Sequence, residues 1–115
     1  MKITILKSKI FMATLTGANV EYEGSITISR DLLKAANMYP YEKVLVSNAV
    51  NGSRLETYII EGEPGVIELN GAAALLGKPG ERVIIMSFTQ VEQTEAKSWH
   101  PDVVYVNSKN EQIKK

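Results

Sequence analysis

The chain has 115 residues, 44% apolar and 23% charged, with 13 Lys and Arg against 13 Asp and Glu and no cysteine. That length holds one domain around a single core, in the balance of a soluble globular protein rather than a disordered or membrane-embedded one. Zero net charge removes a global field for nucleic acid or anionic membrane, and the missing cysteine removes disulfides, thiol nucleophiles and cysteine metal sites. Lys2, Lys7 and Lys9 interrupt the N-terminus, so no signal peptide is read there, no later segment spans a bilayer, and a cytoplasmic location is expected.

Residues 2–6 and 10–16 are rich in Ile, Leu, Thr and Phe and read as one long strand, or two broken at Lys7-Ser8-Lys9. Gly17 punctuates, 20–22 and 26–28 read as short strands, and Gly24-Ser25 lies in their connection. Ser29 is placed to cap a helix through Leu32, Leu33, Ala35 and Ala36 that Asn37 ends. Residues 44–49 and 55–60 flank Asn51-Gly52, the dipeptide of a tight β-hairpin. Gly62, Pro64 and Gly65 make a turn, 66–69 a strand, and Asn70 caps a helical turn over 72–76 that Lys78-Pro79-Gly80 closes. The continuous apolar run 83–88 reads as a buried strand, 103–106 as the last one, and the tail from Asn107 as frayed. Many short strands with frequent turns and one helix predict a mainly β fold, a small closed barrel with its functional residues at strand ends and turns.

A single histidine, His100, cannot form a histidine metal cluster and sits beside Pro101 in an expected surface connection. No Gly-rich phosphate loop of either common spacing occurs, and no paired carboxylates fall in an apolar segment, so nucleotide binding and two-carboxylate hydrolysis gain no support. Ser25 has no histidine base in its sequence neighbourhood, which speaks against a serine hydrolase.

Four strings stand out: Leu6-Lys7-Ser8-Lys9-Ile10, Tyr22-Glu23-Gly24-Ser25-Ile26-Thr27-Ile28, Asn51-Gly52-Ser53-Arg54-Leu55-Glu56-Thr57-Tyr58, and Asn70-Gly71-Ala72-Ala73-Ala74. In this order and spacing they resemble the pyruvoyl-dependent aspartate α-decarboxylase (aspartate 1-decarboxylase) family, from Lys9 to about Pro101. The resemblance implies a double-psi β-barrel with one or two short helices and a homotetramer with active sites between subunits. It implies decarboxylation of L-aspartate to β-alanine and CO2, feeding pantothenate and coenzyme A synthesis. It also implies a precursor that cuts itself between Gly24 and Ser25 into 1–24 (β chain) and 25–115 (α chain). Ser25 then becomes a covalent pyruvoyl group, and neither a metal nor pyridoxal phosphate is needed.

The chemistry explains that requirement. Loss of CO2 from an α-amino acid leaves an electron pair that no ordinary side chain accepts, so an electrophilic carbonyl must be supplied. On the family's route Ser25 Oγ attacks the Gly24 carbonyl to give an ester, β-elimination leaves dehydroalanine, and hydrolysis yields the pyruvoyl group. Its carbonyl then takes the substrate amine as a Schiff base. A glycine before the serine enters strained conformations and lets the hydroxyl approach closely.

By the same resemblance Tyr58 donates the proton to carbon, Arg54 grips a substrate carboxylate with its guanidinium fork, and Lys9 adds a second cation for a dicarboxylate. Thr57 takes part in self-cleavage and in the pocket, Asn70 with Gly71, Ala72 and Ala73 contacts substrate, and Tyr22 lies near the cut. Each residue type has an ordinary structural explanation, as a strand tyrosine, a hairpin arginine, a surface lysine or a helix cap; the shared pattern carries the roles. In a flat strand Arg54 and Tyr58 share a face about 13 Å apart while Thr57 points the other way, so twist, a bulge or a neighbouring subunit must unite them.

The sequence departs from the family at Phe11-Met12, where a His-Arg pair is common, and at Ser47, where some members carry tryptophan. Self-processing rate, substrate placement and pocket shape are the properties these touch. Two other readings stay open: a non-catalytic oligomeric β-barrel acting as a binding module, and an enzyme that remains uncut until a maturation factor acts.

Overall fold

The computed structural model describes residues 1–114. The elements in chain order are β1 (Lys2–Thr14), β2 (Gly17–Asn19), β3 (Ser25–Ser29), α1 (Arg30–Ala36), β4 (Lys43–Asn48), β5 (Arg54–Gly62) and β6 (Ile67–Asn70). A 3-10 turn (Gly71–Leu76), β7 (Arg82–Glu92), a second 3-10 turn (Gln93–Ser98), β8 (Asp102–Val106) and β9 (Gln112–Ile113) complete them. Hydrogen-bonded neighbours follow the order β2-β6-β3-β5-β4-β7-β1-β8-β9. The β1/β8, β2/β6 and β3/β5 pairs are parallel and the others antiparallel, the mixed pairing of the expected small double-psi barrel.

Alternation along the strands sets the core. Ile10, Ile26, Ile28, Val44, Val46, Ile59, Leu69, Val83 and Ile85 all point inward and are essentially buried. Each contributes roughly 1.5–3 kcal/mol relative to exposure. Leu32, Leu33 and Ala36 of α1 join the same cluster. The helix stops where expected, with Asn37 in the left-handed conformation at φ 56°. Ser29 does not cap it; its hydroxyl is buried without a hydrogen-bond partner.

Several local expectations need correction. Of the two readings of the N-terminal segment the single long strand holds, and what the sequence did not show is the bulge between Leu6 and Ser8 that absorbs the polar triplet and turns Ser8 into the interior. Residues 20–22 form a turn rather than a strand: the Asn19 side-chain oxygen accepts from the Glu21 N–H at 3.1 Å and ends β2. The β4/β5 hairpin stands, but its loop is longer than a two-residue turn. Asn48 Oδ1 accepts from the Val50 N–H at 2.8 Å, and within the loop only Gly52 takes a positive φ, of 77°. The run 83–88 is buried on one face only, since Ile84 and Met86 are half-buried and Phe88 is 45% exposed on the other. The tail is pinned rather than frayed. Asn110, at φ 61°, accepts from the Thr14 N–H at 2.7 Å and donates to the carbonyls of Thr14 and Gly65 at 2.8 and 3.0 Å. One polar side chain thus supplies the backbone partners that a strand would have given.

Candidate active site

Ser25 opens β3 and lies between two strands. On one side it pairs in register with Asn70 of β6. On the other, β3 runs parallel to β5 with Ile26 opposite Ile59, and one residue back that register sets Ser25 beside Tyr58. Ile26 and Ile59 are buried in the core, so Ser25, Tyr58 and Asn70 form a row on the opposite face of the sheet.

Within the row Ser25 is fully buried and held at its oxygen. Asn70 Nδ2 donates to Ser25 Oγ at 2.9 Å and to Thr27 Oγ1 at 2.9 Å, and Ser25 Oγ donates to the Glu23 carbonyl at 3.3 Å. Asn70 was expected to cap the following turn; its side chain makes no capping bond and reaches across to β3 instead. Removing a buried amide of this kind typically costs about 1–3 kcal/mol.

The residue after Asn70 explains how close the turn comes to the Gly24-Ser25 bond. Gly71 sits at φ 66°, and a Cβ there would lie 2.7 Å from Gly24 Cα and 2.8 Å from Gly24 N. Only glycine fits both demands. Gly24 itself is under no such constraint: a Cβ there meets nothing within 4 Å and its φ is not left-handed. The steric need for glycine therefore falls across the bond, at position 71, rather than at 24. Ala72 is exposed and Ala73 packs against the core, so neither side chain lies in the row.

Tyr58 is half-buried, and its ring stacks on Tyr41 with centroids 6.3 Å apart and planes 26° from parallel. Together they border a cavity of about 400 Å³ whose other walls include Tyr22, Glu23, Pro40 and Ile60. Tyr22 also borders an adjoining hollow of about 310 Å³ with Thr27, Glu68 and Asn70. A larger space of about 470 Å³, between Asp31, Pro64 and Lys109, holds none of the candidate residues.

The two candidate cations lie elsewhere. Arg54 pairs in register with Ser47, to which Nη1 donates at 3.4 Å, and its side chain is exposed. It shares the outward face with Tyr58, four residues away on β5, or about 13 Å. Lys9 pairs with Met86, Met86 with Leu45 and Leu45 with Glu56, which places Lys9 on the same outward face but four strands from Ser25. At about 4.8 Å per strand that is roughly 19 Å. Its ammonium lies 5.7 Å from the Phe11 ring centroid, and Phe11 in turn meets Tyr105 edge-on at 5.9 Å. Thr57 has the opposite parity, facing inward beside Val44. One chain thus brings Gly24, Ser25, Tyr58, Asn70 and Gly71 together and leaves Lys9, Arg54 and Thr57 apart.

The family model described as Aspartate decarboxylase matches residues 1–113. The chain belongs to the aspartate decarboxylase family. It is 53% identical over 112 residues to the Aspartate 1-decarboxylase of Myxococcus xanthus, covering 96% of this chain and 86% of that one. The Aspartate 1-decarboxylase of Chlorobaculum parvum is also 53% identical, covering 96% and 88%. That of Carboxydothermus hydrogenoformans is 50% identical, covering 99% and 91%. The protein is therefore an enzyme of this family.

Among aspartate decarboxylase features read from the sequence, the unusual Phe11-Met12 pair has a local consequence: Met12 adopts φ 64° at the second β1 irregularity, between Ile10 and Ala13. No group of three or more His, Asp or Glu among the described residues is placed to hold a metal, and none of their helices is long and apolar enough to cross a membrane. Sequence reasoning missed Tyr41 and Thr27. Tyr41 gives no signal in sequence, because nothing marks a tyrosine that will adopt φ 70°. Thr27 is marked only by strand parity with Ser25. A further bridge was also missed: Asn48 Nδ2 donates to the Leu76 carbonyl at 3.1 Å and to Glu81 Oε1 at 3.0 Å, tying the turn after Gly71 to the hairpin that carries Arg54.

Proposed function

We propose that this protein decarboxylates L-aspartate to β-alanine and CO2 in the cytoplasm, using a pyruvoyl group that it makes from Ser25 by cutting its own chain after Gly24. The observation that carries the reading is the buried Ser25 hydroxyl, fastened by Asn70 and faced across the Gly24 backbone by the Cβ-free Gly71.

Ser25 Oγ attacks the Gly24 carbonyl carbon, the C–N bond breaks, and an ester with a free Ser25 amine results. The Asn70 amide fixes the hydroxyl oxygen, and Gly71 lets the Gly24 backbone lie close, so the reacting atoms are held by neighbours on both sides. Elimination then releases the Gly24 carboxylate, and water displaces ammonia from the resulting dehydroalanine. The residues present fit such a group: the only atoms it needs are those of Ser25, and its neighbours Tyr58 and Asn70 line cavities of about 400 and 310 Å³. When formed, it supplies a carbonyl that takes up the electron pair released as CO2 leaves.

Tyr58 stands next to position 25 and carries a phenolic proton for delivery to the substrate α-carbon. Arg54 and Lys9 bind the two carboxylates, but both come from the neighbouring subunit. That assignment rests on the spacing within one chain and on the outward apolar face of β4 and β7, where Leu45, Ile84, Met86 and Phe88 flank those cations. Packing copies of the chain there covers the face and brings two cations to each Ser25, which favours a homotetramer. Thr57, next to Tyr58 on β5, takes the part in cleavage and in the pocket that the family pattern implies, and Ala72 and Ala73 contribute backbone rather than side chains.

The test is to incubate the purified protein with L-aspartate and a hydride reductant. β-Alanine should form without reductant, and with it the substrate should become attached to the 25–115 fragment alone. β-Alanine formation by Ser25→Ala would contradict the proposal.

A further inference from the structure

Tyr41 combines three features that the proposed mechanism does not use. Its φ is 70°, a left-handed conformation that a bulky aromatic residue rarely adopts. It is 81% exposed, and the one face it does not give to solvent lies over the Tyr58 ring. It also borders the cavity that Tyr58 and the Tyr22-Glu23 segment share.

The strained conformation is enforced from several directions. The Tyr41 N–H donates to the Ile59 carbonyl at 2.8 Å, and the Ile59 N–H donates to the Glu42 carbonyl at 3.1 Å, so the segment is clamped to β5 next to Tyr58. Glu42 Oε1 accepts from the Tyr39 N–H at 3.0 Å. Lys7 Nζ, largely buried, bonds Glu42 at 2.9 Å and the Asn37 carbonyl at 2.6 Å, anchoring the segment's other end to β1. Strain that persists because its surroundings over-determine it marks a place where a side chain has been aimed.

We infer that Tyr41 is a positioning residue for Tyr58: its ring, held by this clamp, fixes the plane of the Tyr58 phenol and closes one wall of the cavity into which the proton is delivered. The inference rests on the reading of Tyr58 as proton donor. Offset stacked rings restrict a neighbour's rotation, and removing one leaves the phenol free to leave its productive geometry. Substrate carboxylates are bound by other groups, so the loss falls on the chemical step and not on affinity.

Steady-state kinetics of the self-cleaved enzyme test this with Tyr41→Gly, Tyr41→Phe and Tyr58→Phe. Tyr41→Gly should fold readily, because glycine accepts the positive φ, and its Tm should not fall. Its kcat should drop about three- to ten-fold at nearly unchanged KM, the scale of one aromatic pair, and its solvent isotope effect on kcat should rise. Tyr41→Phe, which keeps the ring, should recover most of that loss. Parental kcat in Tyr41→Gly beside an inactive Tyr58→Phe would overturn the role of Tyr41 alone, as would a Tyr41→Phe enzyme as slow as Tyr41→Gly. Parental kcat in Tyr58→Phe would overturn the proton-donor reading beneath it.

Discussion

The row around Ser25 and the outward patch around Arg54 and Lys9 are built differently. At Ser25 every neighbour is fixed: the hydroxyl is buried, Asn70 bridges it to Thr27, and Gly71 packs at the distance of a missing methyl group. At Arg54 the guanidinium is exposed and its contact to Ser47 is long, at 3.4 Å, while Lys9 leans on an aromatic ring. The first region is complete within one chain, as a unimolecular self-cleavage needs. The second spreads its two cations across an outward face, with Leu45 and Met86 of β4 and β7 between Lys9 and the strand that carries Arg54, the arrangement that the proposed sharing of the substrate site between subunits starts from.

That contrast can be broken most sharply at its two ends. Ser25→Ala should fold, stay uncut and lose all decarboxylation, whereas Arg54→Ala should still cut itself and lose substrate affinity, raising KM by about ten- to a hundred-fold. Co-expressing the two variants should then restore roughly a quarter of the parental rate, the random-mixing fraction of sites that draw Ser25 and Arg54 from different chains. A mixture no faster than the sum of its parts would place both residues in one chain. Gly71→Ala comes next. A Cβ at φ 66° costs about 1–2 kcal/mol by itself, and its clash with Gly24 should displace the scissile bond, so slowed or absent cleavage should be seen by gel in a chain that remains folded.

The smallest effect concerns the bridge between the regions. The Asn48 side chain, then the Lys78 N–H, hold the Glu81 carboxyl below the ordinary glutamate value of 4.5. A lowered carboxylate pKa contributes stability that is present above the ordinary value and lost as pH falls through the lowered one. Glu81→Gln should therefore lower Tm slightly at neutral pH and flatten its decline below about pH 4.5. Thermal melts of the two proteins from pH 7 to pH 3 measure this directly.

Much of the barrel was legible because alternation and turn residues are local signals. Asn37 ended α1 and β4 and β5 paired as a hairpin around Asn51-Gly52, though through a longer loop than the dipeptide suggested, since each depends on a few adjacent residues. The tail was not legible: Asn110 is an ordinary polar residue until Thr14 and Gly65, far away in sequence, present their backbone groups to it. The candidate site divides along the same line. Ser25, Tyr58 and Asn70 were found as strings that resemble a family, but their common row follows from strand register, which no string displays. Gly71 was noted for its place in a motif, and the reason for it emerged only when Gly24 was found against it. Tyr41 was invisible because its importance lies in a backbone conformation imposed by Lys7, Glu42 and Ile59.

The most direct measurement is a denaturing intact-mass spectrum of active protein. The account predicts two chains, residues 1–24 and 25–115, the second lighter by one ammonia than a serine start would give. A single full-length mass in a preparation that makes β-alanine at the rate of its enzyme content would contradict it.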